Sequence, residues 1–180
     1  MMQQQWQQFV QTYVKNVSPI IEFDRDWVSP CLVIEKGVQL DALENGAQLR
    51  WIMQPRTAAS LANLNEALEL VVPPALSDFY CSCFAHHLEV HFAGKNLTLL
   101  QIWNEEDFHQ LQENIIGHVL MKRRLRQRDT IFIGFTEDDE EIIAVDVASQ
   151  AVVVERLGKE WEVELAPDLP TFIDQLIPAQ

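Results

Sequence analysis

The sequence predicts a single α+β domain in which helices cover one mostly antiparallel sheet. The first supporting observation is a long amphipathic helical pattern that directly follows an apolar strand, within residues 97–128. The second is a series of short apolar strands separated by turn residues, which is typical of hairpins rather than of parallel crossover units. The third is that the 180 residues contain no evident repeat or flexible linker, so one core is expected.

The elements before residue 87 are predicted from hydrophobic periodicity and from the positions of prolines. A first helix carries an apolar stripe that begins at Trp6 and ends before Ser18-Pro19. The pattern then predicts, in order, a connector over 24–30, a buried strand over 32–34, a turn-rich loop over 35–46, a strand over 49–53, a helix capped by Thr57 and a short helical turn over 75–80.

The centre of the chain predicts a hairpin followed by the longest helix. A strand over 87–92 turns at 93–96 into a strand over 97–103. Asn104 is a good N-cap, and the three acidic residues after it lie where the helix dipole favours negative charge. The helix has an apolar stripe formed by Phe108, Leu111, Ile115 and Val119. Gly117 inside this helix costs about 1 kcal/mol relative to alanine, so we expect it to permit close packing.

The last third of the chain predicts four more strands and a final helix. The strands are expected over 131–135, 142–147, 152–154 and 161–165. In the last of these strands apolar residues alternate with glutamates, which indicates an edge strand protected by charge. The side chains expected to face inward are Trp161, Val163 and Leu165, and those expected to face solvent are Glu160, Glu162 and Glu164. Asp168 is the expected cap of the final helix.

The charge balance limits the possible partners. The chain has 27 acidic and 13 basic residues, a formal net charge of −14, and five of the bases lie within 122–128. An acidic surface repels phosphates, which argues against nucleic acid binding. A basic protein partner matches in sign, and a general solubilising role of the charge is the simpler alternative.

The cysteines and the hydropathy pattern indicate a reducing compartment. Three cysteines in 180 residues do not form a disulfide framework. The first residues have neither the cationic nor the continuous apolar region of a secretory signal, and no stretch approaches about 18 apolar residues. We therefore expect a protein that is cytoplasmic or peripheral on the inner face of a membrane.

Two groups of residues could carry chemistry. A zinc site could be built from Cys81, Cys83, His86, His87 and His91, but their spacing matches no usual ligand pattern. His118 could act as a base, although a satisfied histidine bonded to Asn114 is the simpler interpretation. No nucleophile elbow, phosphate-binding loop or metalloprotease motif occurs, so the sequence predicts no catalytic residue, metal or cofactor.

Two charged segments could bind a partner or a surface. The basic run 122–128 could contact anionic lipid, but compensation of the helix C-terminus is the preferred interpretation. The acidic turn 137–141 has no local reason for five consecutive carboxylates, which repel one another. It is either a solvated loop or one rim of a negative surface that captures cationic segments.

Residues 28–180 also resemble a known family. The matching residues are Ser29-Pro30-Cys31, Trp51, Gln54-Pro55, Leu97 to Gln101, Trp103, Glu105 to Phe108, Gln112 to Asn114, Ile116 to His118 and Thr130 to Ile133. This set is similar to the Syd family, bacterial cytosolic proteins that interact with the SecY subunit of the protein-translocation channel. Residues 1–27, an N-terminal helix and connector, depart from the family pattern, as do residues 35–49 and the arginine density at 123–128.

The resemblance implies a single domain of the SUKH superfamily type, without enzymatic activity. It also implies binding to cytoplasmic loops of SecY at the inner membrane, where the protein regulates or monitors the channel. Because such loops are rich in Lys and Arg, we expect contact through acidic residues. The candidates are Glu105, Glu106, Asp107, Glu137, Asp138, Asp139, Glu140 and Glu141.

Two other functions remain open from the sequence. An immunity-type protein of the SUKH kind could neutralise a basic toxin through the same acidic surface. A zinc enzyme built on Cys81, Cys83, His87 and His91 is the remote third possibility.

Overall fold

A seven-stranded antiparallel sheet forms the centre of the computed structural model, which describes residues 2–161 and 163–180. The helices are α1 (Met2–Val17), α2 (Ala62–Leu68), α3 (Pro74–Cys81), α4 (Glu105–Arg124) and α5 (Leu169–Asp174). The strands are β1 (Ile20–Glu22), β2 (Gln48–Arg50), β3 (Gln54–Pro55), β4 (Cys83–Phe84), β5 (Leu88–Phe92), β6 (Lys95–Leu99), β7 (Thr130–Thr136), β8 (Glu141–Asp146), β9 (Val152–Arg156), β10 (Val163–Ala166) and β11 (Ile177–Pro178).

The strand order in the large sheet is β10-β9-β8-β7-β6-β5-β11, and β1-β2 and β3-β4 form two small antiparallel sheets. Sequential strands from β5 to β10 are therefore neighbours, as expected for connected hairpins. The helices pack against one another and against this sheet. The predicted α+β class is confirmed.

The long helix α4 follows the sequence pattern closely. The Asn104 side chain accepts a hydrogen bond from the backbone N–H of Asp107 at 2.8 Å, which satisfies one of the free donors of the first turn. The predicted stripe is buried at Phe108, Leu111, Ile115 and Val119. Burying each of these side chains contributes about 1.5–3 kcal/mol, so the stripe is what holds α4 on the core.

The predicted hairpin of β5 and β6 is confirmed, with Leu88 opposite Leu99 and Phe92 opposite Lys95. Its turn residues Ala93 and Gly94 both have positive φ, 48° and 79°. Positive φ at both central residues is typical of the type I′ turn, whose twist matches that of the two strands.

The glycine that permits close packing is Gly134 on β7, not Gly117. A Cβ at Gly134 would lie 2.3 Å from the carbonyl oxygen of Thr98 on β6. A Cβ at Gly117 would meet no atom within 4 Å, so the expectation of close packing there is wrong. The stripe of α4 places Gly117 on the exposed side of the helix.

The predictions for residues 32–61 are partly wrong. Residues 32–34 form no buried strand: Leu32 makes one isolated bridge to Trp51, and Val33 is exposed. The second helix begins at Ala62 and is not capped by Thr57. The reason is that β3 pairs with β4 and the backbone N–H of Arg56 donates to Ser82 O, which keeps the chain extended at this point.

The two edges of the large sheet differ from each other. The predicted edge strand is confirmed as β10, but Val163 is 52 % exposed rather than inward. A register irregularity between Glu164 and Ala166 disturbs the expected alternation, and Glu162 lies outside the described residues. The opposite edge is covered by β11, which the sequence pattern did not predict.

Candidate partner-binding surface

The acidic turn 137–141 connects β7 to β8 and is held by its own polar groups. Thr136 Oγ1 accepts from the backbone N–H of Asp138 at 3.1 Å, and Asp138 Oδ1 accepts from the backbone N–H of Glu140 at 3.0 Å. Glu137 accepts a hydrogen bond from the Asn96 side chain at 2.7 Å. The turn therefore presents its carboxylates from an ordered backbone.

Arg156 on β9 lies against this turn. Its guanidinium pairs with Asp138, Glu140 and Glu141 at 3.1, 3.1 and 3.2 Å. The hydrogen bond from the backbone N–H of Glu140 lowers the pKa of Asp138 below its ordinary value, and the positive charge of Arg156 lowers it further. One guanidinium cannot neutralise five carboxylates, so the turn remains negative; Asp139 is exposed and makes no ion pair within the described chain.

The second predicted cluster, at the start of α4, is used largely by the fold itself. Asp107 accepts from the backbone N–H of Trp103 at 2.8 Å, one residue before the N-cap Asn104. Glu105 accepts from Arg56 Nη2 at 2.9 and 3.0 Å. Glu106 is exposed. The free negative charge of this cluster is therefore smaller than the sequence suggests.

The structure does not bring the two predicted clusters together. Glu137 contacts Asn96 at the beginning of β6, whereas Glu105 begins the helix that follows the end of β6. Hydrogen bonding of Leu100 N to Ile133 O continues the extended course beyond β6. The acidic candidates thus form two separate patches along one strand.

A cleft lies beside the start of α4. Its volume is about 540 Å³, and its lining includes Arg56, Phe84, Glu105 and Phe108. The Arg56 guanidinium lies between two rings, 4.3 Å from the centroid of Phe84 and 4.4 Å from that of Phe108. Its side chain is 6 % exposed, whereas that of Glu105 is 73 % exposed.

The basic run 122–128 is not a free cationic surface. Lys122 is buried, and its Nζ lies 2.6 Å from Glu155 Oε2 on β9. Arg123 pairs with Asp129 at 2.7 Å, and Arg128 pairs with Glu160 at 3.2 Å while it stacks on Trp161 at 4.3 Å. Compensation of the helix dipole at the end of α4 therefore does not explain Lys122. Three of the five basic residues in the run form ion pairs within the protein.

Lys122 and Glu155 belong to a buried polar network. Glu155 Oε1 accepts from Thr130 Oγ1 at 2.7 Å and lies 3.3 Å from His118 Nε2, which is 3.0 Å from Thr130 Oγ1. Burial opposes the charge of Glu155, but its bonds to His118, Lys122 and Thr130 outweigh burial and lower its pKa. His118 is thus a satisfied histidine as predicted, although its predicted partner Asn114 is wrong.

The residues of the possible zinc site are engaged separately. His87 Nδ1 accepts from the backbone N–H of Gln101 at 3.1 Å, and His86 packs edge-on against Trp103 with centroids 5.3 Å apart. Burial raises the pKa of Cys83 to about 12 and that of Cys81 to about 11. Among residues 2–161 and 163–180 no three His, Cys, Asp or Glu side chains are placed to hold a metal ion.

The sequence pattern does not predict the two arginines that organise the acidic clusters, Arg156 and Arg56. The hairpin of β8 and β9 places Arg156 opposite Glu141, so correct pairing of these strands could have identified it. Arg56 gives no such signal, because its partners Glu105 and Phe84 are brought to it by long-range folding.

None of the helices in the described part of the chain has the length and apolar character of a membrane span.

The fold and the acidic patches define an α+β protein whose surface offers charged contacts. A family model described as Syd protein (SUKH-2) matches residues 1–178. The chain belongs to the Syd family, as its sequence resemblance indicated. The match includes residues 1–27, which were expected to depart from the family pattern.

Named relatives agree with this assignment. "Protein Syd" of Pseudoalteromonas atlantica is 39% identical over 160 residues, which cover 88% of this chain and 83% of the relative. "Protein Syd" of Pseudoalteromonas translucida is 34% identical over 175 residues, covering 94% and 93%. "Protein Syd" of Klebsiella pneumoniae subsp. pneumoniae is 37% identical over 151 residues, covering 83% and 78%.

Proposed function

We propose that this protein is a non-enzymatic binding protein that contacts cytoplasmic loops of the SecY translocon subunit and thereby regulates or monitors the channel. The observation that carries the proposal is the ordered acidic turn 137–141, whose carboxylates project from a backbone fixed by hydrogen bonds. Membership in the Syd family supports the identity of the partner.

The physical basis is complementarity of charge. Cytoplasmic loops of membrane proteins carry an excess of Lys and Arg, and the chain has a net charge of −14. Opposite charges speed association and orient the encounter more than they raise affinity. The pairing of Arg156 with the turn keeps the carboxylates in place, so a cationic loop meets a fixed pattern of acceptors.

The same mechanism accounts for the proposed location, peripheral on the cytoplasmic side of the inner membrane. The internal pairing of Lys122, Arg123 and Arg128 leaves few cations for anionic lipid. A polybasic segment gains about 1 kcal/mol per free Lys or Arg near such a surface. We therefore attribute membrane association to the protein partner and not to the lipid.

Binding to SecY-containing vesicles at increasing salt tests the proposal. Binding should weaken steeply up to about 0.5 M salt, where the screening length falls below about 5 Å. Equal binding to SecY-free anionic vesicles, or binding that salt leaves unchanged, would contradict it. A pull-down from solubilised inner membranes should recover SecY; recovery of a basic toxin instead would favour the immunity-type function.

Charge reversal identifies the contact. The triple variant Asp138→Lys, Asp139→Lys, Glu140→Lys should slow association about tenfold or more at low salt, with a small effect on dissociation. Stopped-flow measurement of both rates checks this prediction. The matched control carries three reversals elsewhere on the exposed surface, at Glu35, Asp41 and Glu44, and separates local contact from total charge.

A further inference from the structure

Arg56 has a donor for which the fold supplies no acceptor. Its Nη2 bonds to both oxygens of Glu105, but the buried Nη1 has no hydrogen-bond partner among the described protein atoms. Buried polar groups are almost always hydrogen-bonded, and a buried donor on a charged group is the most costly to leave unpaired. An unpaired guanidinium donor at the side of a cleft therefore requires an explanation.

The guanidinium is fixed by groups that all belong to the same cleft. Phe84, Phe108 and Glu105 hold it on three sides, and each of them lines the 540 Å³ space. Stacking between two rings and the bonds to Glu105 limit its rotation. The cleft thus has a preorganised donor, which distinguishes it from an ordinary surface depression.

The chemistry of the lining indicates what the cleft can bind. The polar side chains around Arg56 and Glu105 are neutral, namely Thr57, Ser60, Asn63 and Gln112. Glu105 already neutralises Arg56 and repels a second anion, so an uncharged acceptor suits Nη1 better than a phosphate or carboxylate. Neutral hydroxyls and amides both donate and accept, as the alternating N–H and C=O groups of a peptide require.

We propose that this cleft binds an extended, uncharged peptide segment of a partner protein. A backbone carbonyl of the segment accepts from Arg56 Nη1, and one apolar side chain packs against Phe84 and Phe108. Because Nη1 is buried, neighbouring side chains must move aside before a carbonyl of the segment reaches it. The volume lies within the about 300–1,000 Å³ of typical ligand sites, so a segment of a few residues fits.

This site is independent of the acidic turn, since it recognises uncharged groups at the other end of β6. The two proposals can therefore fail separately. Salt should weaken binding at the turn but leave binding in the cleft nearly unchanged.

Titration of the ¹⁵N-labelled protein with the blocked tripeptide acetyl-Gly-Leu-Gly-amide tests the proposal. The amide signals of residues 57–63 and the Arg56 side-chain signal should shift together, and acetyl-Gly-Ala-Gly-amide should bind more weakly. Inorganic phosphate should cause no saturable shift of the Arg56 signal. Absence of a saturable shift with the leucine peptide, or stronger binding of phosphate, would overturn the proposal.

A steric variant makes the test specific to the cleft. Ala58 is an exposed lining residue, so Ala58→Trp should fill the cleft without changing charge or core packing. It should weaken binding of the leucine peptide by about tenfold or more. Ala42→Trp, at an exposed position outside the lining, is the matched control and should bind as the wild type does. Equal binding by Ala58→Trp and the wild type would show that the peptide lies elsewhere.

Discussion

The Lys122→Met substitution tests the energetic role of the buried ion pair between α4 and β9. The pair is 2.6 Å long, and the two side chains are 2 % and 1 % exposed. Methionine fills a similar volume but removes the cation, so Glu155 keeps its charge with fewer partners. The bonds from Thr130 and His118 remain.

The expected cost follows from the desolvation of the remaining carboxylate. Breaking one side of a buried pair destabilises proteins by about 3–5 kcal/mol. For a domain of this size, each kcal/mol lowers Tm by about 2–4 °C, so we expect a fall of roughly 6–20 °C. Replacing both partners, with Lys122→Met and Glu155→Gln, should cost less than the sum of the single changes, with a coupling of about 1–3 kcal/mol.

Urea and thermal unfolding of the four proteins in this cycle provide the measurement. Arg124→Met is the matched control, because Arg124 lies on the same helix but is exposed, and it should change stability by less than about 0.5 kcal/mol. If Lys122→Met is as stable as Arg124→Met, or the coupling is zero, the pair does not hold α4 and β9 together.

The pH dependence provides a second check of the same pair. The pKa of Glu155 is lowered in the fold, so its contribution to stability is present above the ordinary value of 4.5 and is lost as the pH falls through the folded pKa. Removing Lys122 removes part of the cause of the lowered pKa. The stability difference between wild type and Lys122→Met should therefore be largest near neutral pH and shrink on acidification; a difference that grows below pH 4.5 would refute this account.

Three other predictions follow from local features. Gly134→Ala should lower the free energy of unfolding by about 1–3 kcal/mol, because the new Cβ would collide with the backbone of β6. Gly117→Ala, on the open face of α4, should raise the free energy of unfolding by about 0.5–1 kcal/mol. Asn104→Ala should cost about 0.5–2 kcal/mol through loss of the helix cap. Urea unfolding measures the stability of all three variants. Equal effects of the two glycine substitutions, or no effect of Asn104→Ala, would contradict these predictions. Burial raises the pKa of the Cys83 thiol to about 12. Iodoacetamide at pH 8 should therefore not label Cys83 in the native protein but should label it in urea. Stoichiometric labelling of the native protein, detected by mass spectrometry, would exclude such burial.

Local patterns predicted the elements whose signals are strong and short-range. The stripe of α4, its Asn104 cap and the β5–β6 hairpin are each encoded within about 20 residues, and the structure contains all three. The errors arose where long-range pairing decides the outcome. The backbone at Arg56 is extended because Ser82 pairs with it, which no local pattern around Thr57 indicates.

The charged residues show the same limit. The sequence identifies the acidic turn 137–141 as a candidate but not its distance from Glu105, since that distance depends on the course of β6. The basic run was predicted to compensate a helix end, yet Lys122 is bonded to Glu155, 33 residues away. Periodicity could place Lys122 beside Val119 but could not supply its buried partner. Whether the acidic candidates contact a partner stays a prediction.

The contact between the first and last helices has a consequence for biogenesis. The Gln5 side chain donates to Pro170 O and to Asp174 Oδ1, at 2.9 and 2.7 Å, across 165 and 169 residues. Because translation runs from the N-terminus, α1 leaves the ribosome long before α5 exists, and its apolar face must wait for part of its docking site. Contacts of such wide sequence separation slow folding, so we expect α1 to complete its docking only after α5 has been synthesised.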